Sequence, residues 1–201
     1  MTAAGEAPAL DPEDEARAAF YGLIARLFYA PPDPDVLAQI QNARAFDEGD
    51  EGDLAQRWRE LAERCLTAVP AMLENEHTEL FIGTGKAEVT PYLTHYLQDR
   101  TTDNPLVRLR RQLAEWGMRR QPRANEPEDH VSGICESMRL AIAAQHRSLE
   151  EQKSFFDRFV YPGVTPFCDA VAGSPKADFY RLVARFACEF LQLERRAFDM
   201  A

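Results

Sequence analysis

The stretch RANEPEDHVSGICESM, residues 123–138, places four carboxylates and one imidazole where an apolar periodicity begins. At about 100° per residue, Val131, Ile134, Cys135, Met138, Ala141 and Ile142 fall on one side, the stripe of a helix buried along one face. The opposite side stacks Asp129 and Glu136 with Ser132 and Gly133 between them, a shallow notch of small residues bounded by acids. His130 sits at the border of the two faces. Leu140 projects onto the acid side, so another helix or a ligand covers it.

Two meanings fit this arrangement. Acids favour a helix N-terminus because the macrodipole is positive there, and His130 then serves as a boundary residue bonded to a neighbouring loop. Alternatively, the notch is a concave acidic site for a guanidinium or an exposed peptide backbone. A general acid/base pair lacks any partner group to react with.

The same three-and-four spacing recurs along the chain. Ala16, Phe20, Leu23, Leu27 and Phe28 form one helix stopped by Pro31-Pro32, and Leu106, Leu109, Leu113 and Trp116 form another before Pro122. A last helix from about Pro175 carries Phe179, Val183, Phe186, Ala187, Phe190 and Phe198, and segments near 36–46, 53–69, 71–82 and 149–160 behave alike. A polar residue followed by proline recurs at Asp11-Pro12, Asp33-Pro34, Asn104-Pro105, Glu126-Pro127, Thr165-Pro166 and Ser174-Pro175. Each pair is expected to open a helix, since proline is tolerated at the first helical position and most of these neighbours are good caps. No alternating strand and no fixed-period repeat is found, so the pattern predicts an all-α fold of about eight to ten helices.

Composition narrows the function. The 201 residues carry 23 basic and 33 acidic groups, a net charge of −10, which disfavours bulk nucleic-acid binding. Residues 1–60 hold 13 acids against 5 basic groups, while the basic side chains thicken between Arg108 and Arg123. Cys65, Cys135, Cys168 and Cys188 lack CxxC pairing and sit among apolar neighbours, as core thiols in a reducing compartment would. The N-terminus has neither a basic region nor an apolar run of a secretory signal, and no run approaches the ~18 apolar residues of a membrane span. A soluble, cytoplasmic chain is expected.

Familiar chemical motifs are absent. Gly83–Lys86, GTGK, lacks the leading glycine and the following Ser or Thr of a phosphate loop and follows a helix; it reads as a helix-ending glycine turn. His77, His95, His130 and His146 have no metal-ligand spacing, and neither a GxSxG elbow nor a cysteine nucleophile context occurs. No catalytic residue, metal or cofactor is assigned.

Asn125–His130, NEPEDH, resembles the E-P-x-D-H signature of the TorD/DmsD family of cytoplasmic chaperones for molybdenum redox enzymes, the redox enzyme maturation proteins. Glu79–Leu97, ELFIGTGKAEVTPYLTHYL, is similar to that family's Leu-Phe, glycine turn, Pro-aromatic pattern. LFYAPPDP at 27–34 and FYRLVARFACEFL at 179–191 add matches in family order across nearly the whole chain. Two departures, Pro91-Tyr92 and Tyr161-Pro162-Gly163 where the family often has Pro-Trp, fall where partner contacts are tuned.

The resemblance implies one all-helical domain with an N-terminal part at about 10–121, a hinge at about 122–127 and a C-terminal part at about 128–201. It implies a non-enzymatic, cytoplasmic chaperone that binds the twin-arginine leader or the apoprotein of a molybdoenzyme and holds it until its cofactor is inserted. An assembly module docking on a molybdoenzyme subunit without leader recognition is the alternative. Monomer and domain-swapped dimer both suit hinge-linked parts. By the resemblance, His77, Leu80, Phe81 and Tyr92 lie on the apolar side of the binding region, Glu126, Pro127, Asp129 and His130 at the hinge, and Glu136 closes the notch. Phe81 and Tyr92 read equally as core, and Asp129 and His130 as a lock between the helical parts. Asp129→Asn is expected to weaken leader binding more than folding.

Overall fold

A computed structural model of the chain describes residues 10–43, 45–46, 49–83, 86–97, 104–119 and 126–200. Its helices are α1 (Pro12–Tyr29), α2 (Pro34–Asn42), α3 (Asp53–Leu66), α4 (Pro70–His77), α5 (Pro105–Glu115), α6 (Val131–Ala143), α7 (Leu149–Phe155), α8 (Tyr161–Gly173) and α9 (Phe179–Met200). A widened π turn, Thr78–Ile82, extends α4, another, Phe156–Val160, joins α7 to α8, and a 3-10 turn spans Leu93–His95. The fold is all-α, and among the described residues the one extended pairing is an isolated antiparallel bridge between Tyr92 and His130. No described helix is long and apolar enough to cross a membrane.

Three of the polar-proline pairs open helices as expected. Asp11 accepts from the Asp14 N–H at 2.8 Å, Asp33 from Val36 at 2.9 Å and Asn104 from Leu106 at 2.9 Å, each before a proline that needs no donor. The other three do not. Glu126-Pro127 lies in the turn before α6, whose cap is His130, and Pro166 lies inside α8. The π turn at 156–160 immediately precedes Pro162, whose ring has no N–H to return to the Arg158 carbonyl; the widened turn relieves that clash. Ser174 closes α8 rather than opening the last helix.

The last helix instead begins at Phe179, because its cap comes from far away in the chain. The Glu76 carboxylate on α4 accepts the N–H groups of Asp178 at 2.8 Å, Phe179 at 3.2 Å and Tyr180 at 2.9 Å. An anion thus meets both the unpaired donors and the positive end of a 22-residue helix.

Helix α9 is the centre of the core: α8, α3, α4 and α1 pack on it, and α1 also lies along α6. Helices from both sides of residues 122–127 therefore share one apolar interior. Phe20 meets Phe186 and Phe190 edge-on, while Phe28, Phe81, Phe167 and Tyr180 form a second aromatic group. One buried polar knot ties α1 to α9 and α7: Arg17 grips Glu194 at 2.7 and 3.0 Å and Gln152 at 3.0 Å, and the Tyr21 hydroxyl donates to Glu194 at 3.0 Å. Burial alone would lower the Arg17 pKa, but Glu194 outweighs it and lifts it above the ordinary value. Cys65, Cys135 and Cys168 are buried as expected, and Cys188 is only half-buried. Burial pushes the Cys135 thiol up to about 12, far from the thiolate a nucleophile needs.

Removing the remote cap exposes its worth. Glu76→Ala is expected to lower the unfolding free energy by about 2 kcal/mol, with Gln restoring part of it, as read from urea denaturation. A loss below about 0.5 kcal/mol would mean that water caps α9 equally well.

Candidate functional site

The start of α6 needs partners for the N–H groups of its first turn, and the NEPEDH segment and residues 90–94 supply them. The Val131 N–H donates to the Pro91 carbonyl at 2.9 Å, and the Leu93 N–H returns to the Asp129 carbonyl at 2.8 Å. The Ser132 N–H donates to Nδ1 of His130 at 3.2 Å, which leaves the ring proton on Nε2. Gly133 is small because a Cβ there would lie 3.0 Å from the Glu128 carbonyl oxygen.

Side chains reinforce this seam. Thr94 donates to the Asp129 carboxylate at 2.6 Å, the Tyr92 hydroxyl donates to Glu126 at 2.8 Å, and the Tyr92 ring meets His130 edge-on at 5.7 Å. Burial first, then Glu126, pushes the Tyr92 pKa up to about 12. The two outer acids are held by arginines. Arg110 reaches one oxygen of Glu128 through Nε at 3.2 Å and Nη2 at 3.0 Å, and Arg139 forks onto both oxygens of Glu136 at 2.7 Å each. The acids of the opening stretch are thus already engaged within the chain.

Beside them lies an open cavity of about 800 Å³ between α1, α5 and α6. Gly22, Ala25, Arg26 and Tyr29 form its α1 wall; Arg110, Leu113, Met118 and Arg119 form the α5 side; Glu126, Pro127, Glu128, His130, Ser132, Gly133, Glu136, Ser137 and Leu140 complete it. Leu140, expected to be covered, faces this space. The wall is mostly apolar, with arginines and glutamates facing one another on its rim. The Ser132 hydroxyl is buried and has no hydrogen-bond partner.

The predicted residues separate into three groups. Glu126, Pro127, His130 and Glu136 come together on the cavity wall. Asp129 and Tyr92 stand behind it as parts of the seam, with Asp129 buried. His77, Leu80 and Phe81 do not reach the cavity: Leu80 and Phe81 are core, and His77 packs edge-on to Phe81 and beside Tyr180. The projected notch of Asp129 opposite Glu136 is not formed either, because Asp129 precedes the helix and turns towards Thr94. The α1 wall was unassigned in the sequence, although Gly22, Ala25, Arg26 and Tyr29 repeat at helical spacing and could have shown a second working face. Among the described residues no group of three or more His, Cys, Asp or Glu side chains could hold a metal.

Both buried histidines favour the neutral form. Burial lowers the pKa of His130 despite the opposing pull of Glu126 and Asp129, and His77 adds to the lowering. Burial also lowers that of His77; neither of its ring nitrogens closes a hydrogen bond of good geometry, though the Phe28 main chain raises it slightly. Unfolded imidazoles titrate near about pH 6.5 and the folded ones only at lower pH. Stability is therefore complete above about pH 7 and falls as pH drops through about 6.5. The urea midpoint is expected to be lower at about pH 5.5 than at about pH 7.5. His130→Asn, which keeps a capping acceptor, shrinks that difference, and an unchanged difference would discount His130.

The seam also gives Asp129 a part in stability. Thr94→Val and Asp129→Asn are each expected to lower stability by about 1–2 kcal/mol, with the double variant losing less than the sum. Full additivity in urea denaturation would show the two side chains to be energetically unconnected.

The chain as a whole is similar to known proteins. Residues 47–169 match the family described as nitrate reductase delta subunit. A Vibrio cholerae serotype O1 (strain ATCC 39541) protein, Chaperone protein TorD, is 25% identical over 205 residues, covering 92% of this chain and 93% of its own. Chaperone protein TorD of the El Tor Inaba strain N16961 is 24% identical over the same shares. A crystal structure from Archaeoglobus fulgidus, described as a candidate redox enzyme maturation protein, superposes with a TM-score of 0.53 at 18% identity, covering 94% of this chain and 99% of that one.

Proposed function

The chain belongs to the nitrate reductase delta subunit family, that of the TorD-type redox enzyme maturation proteins, and on this premise we propose that it is a chaperone for a molybdenum-containing oxidoreductase. In this reading it acts in the cytoplasm, binds the client's twin-arginine leader, and withholds the unfinished enzyme from export until its cofactor is inserted. It catalyses no reaction of its own.

The observation that carries the reading is the cavity of about 800 Å³ with Glu126, Glu128 and Glu136 on its rim and an apolar wall behind them. A leader of this kind joins two guanidinium groups to an apolar segment. Glu126, Glu128 and Glu136 match the first, and Tyr29, Leu113, Met118 and Leu140 the second. Charge orients the arriving peptide, while apolar burial holds it. The volume admits a few side chains of an extended segment, so the site grips part of a leader while the rest lies outside.

One observation favours a second reading, docking on a molybdoenzyme subunit without leader recognition: the motif acids already have partners within the chain. Titration of the full chain with a twin-arginine leader peptide and its Lys-Lys counterpart separates the two. Leader recognition requires at least about tenfold tighter binding of the arginine peptide, since a lysine cannot make the forked pair. Equal binding, or none, leaves the docking reading.

A further inference from the structure

Resting on the reading of the cavity as a leader site, we propose that Arg139 and Arg110 are internal stand-ins for the client's two arginines. They hold the rim carboxylates while the cavity is empty of peptide and release them when guest guanidinium groups enter. The chain therefore carries its own competitor, which weakens the binding of any basic guest, while the fork that a guest guanidinium rebuilds sets the preference for arginine over lysine.

The geometry of the two pairs supports this. Arg139 meets Glu136 with two parallel bonds of 2.7 Å, the forked arrangement that a guest guanidinium would reproduce and an ammonium could not. Arg110 meets Glu128 through Nε and Nη2 from the α5 side. Both carboxylates line the cavity, so each is already aimed for such a partner.

The place of Arg139 is also built into α1. A Cβ at Gly22, on the cavity wall, would lie 2.8 Å from the Cδ of Arg139. The bare glycine therefore leaves room for the arginine stem beside the cavity wall. A glycine in the middle of an 18-residue helix is unfavourable on propensity alone, and here it leaves space both for the cavity and for the Arg139 stem.

Exposure decides that these pairs can exchange. The side chains of Arg139 and Glu136 are 36% and 43% exposed, and those of Arg110 and Glu128 are 51% and 21% exposed. Ion pairs this wet are held only weakly. The buried pair Arg17–Glu194, at 12% and 4%, is the contrast: its partners cannot part without stranding a charge in the core.

Ser132 adds a polar group to the wall beside the glutamates. It is 7% exposed, lines the cavity in the first turn of α6, and its hydroxyl has no partner.

The test uses the full chain, fluorescent Arg-Arg and Lys-Lys leader peptides, and four variants checked for wild-type melting. Arg139→Gln is expected to bind the Arg-Arg peptide about fivefold tighter by removing the competitor. Arg139→Lys, which keeps the charge but loses the fork, also binds tighter. Arg110→Gln gains less, because Glu128 keeps interactions besides this one. Arg119→Gln removes an equal charge from the same cavity without breaking either pair, and is expected to gain least. Weaker binding by the Arg139 variants overturns the proposal, since the arginine would then be touching the peptide. Equal gains for Arg119→Gln and Arg139→Gln overturn it too, leaving only a change of overall field. If the wild type prefers Arg-Arg but Arg139→Gln binds no tighter, the stand-ins fall and leader recognition stands. If neither wild type nor variants bind either peptide, both fall.

Discussion

The structure depends on how the first turn of α6 satisfies its own backbone. A helix that starts inside a protein has N–H groups that water cannot reach, and each one left unpaired is costly. Here the Pro91 carbonyl takes one and the His130 ring another, and the Asp129 carbonyl returns a bond to Leu93. The seam fixes where α6 begins. From there the buried stripe of Ile134, Cys135, Met138, Ala141 and Ile142 faces the core, and α1 packs along the helix. What remains of the α1–α6 interface, where Gly22 and Gly133 leave room, is the cavity.

The sequence reading succeeded where the deciding interaction is local. Asp11, Asp33 and Asn104 cap helices within three residues of themselves, so spacing alone places α1, α2 and α5. It failed where the partner is remote. Glu76 caps α9 from more than a hundred residues away, so nothing near Pro175 could show that the helix begins at Phe179. Thr165-Pro166 misled because Pro166 lies inside α8, a helix that is already under way before the pair is reached.

The candidate site was legible to a similar degree. Glu126, Glu128, His130 and Glu136 lie together on the cavity wall because they belong to α6 and the turn just before it. Their directions were not legible. A projection treats Asp129 as part of the helix, whereas it precedes the cap and turns away to Thr94. Leu80 and Phe81 share a helical stripe with the core, and the stripe was the better guide. Arg110 and Arg139 reach the acids from different elements, which no single-helix projection contains.

A net charge of −10 suggests an acidic trap, yet the cavity rim sets Arg26, Arg110 and Arg119 against Glu126, Glu128 and Glu136. The difference matters for a protein that must also let go. Bare carboxylates facing a doubly charged peptide would bind it through long-range attraction alone, with little discrimination among basic segments. A balanced rim removes most of that attraction and leaves the forked geometry and the apolar wall to choose the guest. In the proposed reading, exchanging one exposed arginine pair for another is nearly neutral in free energy, so affinity would come from the apolar residues and specificity from the carboxylates.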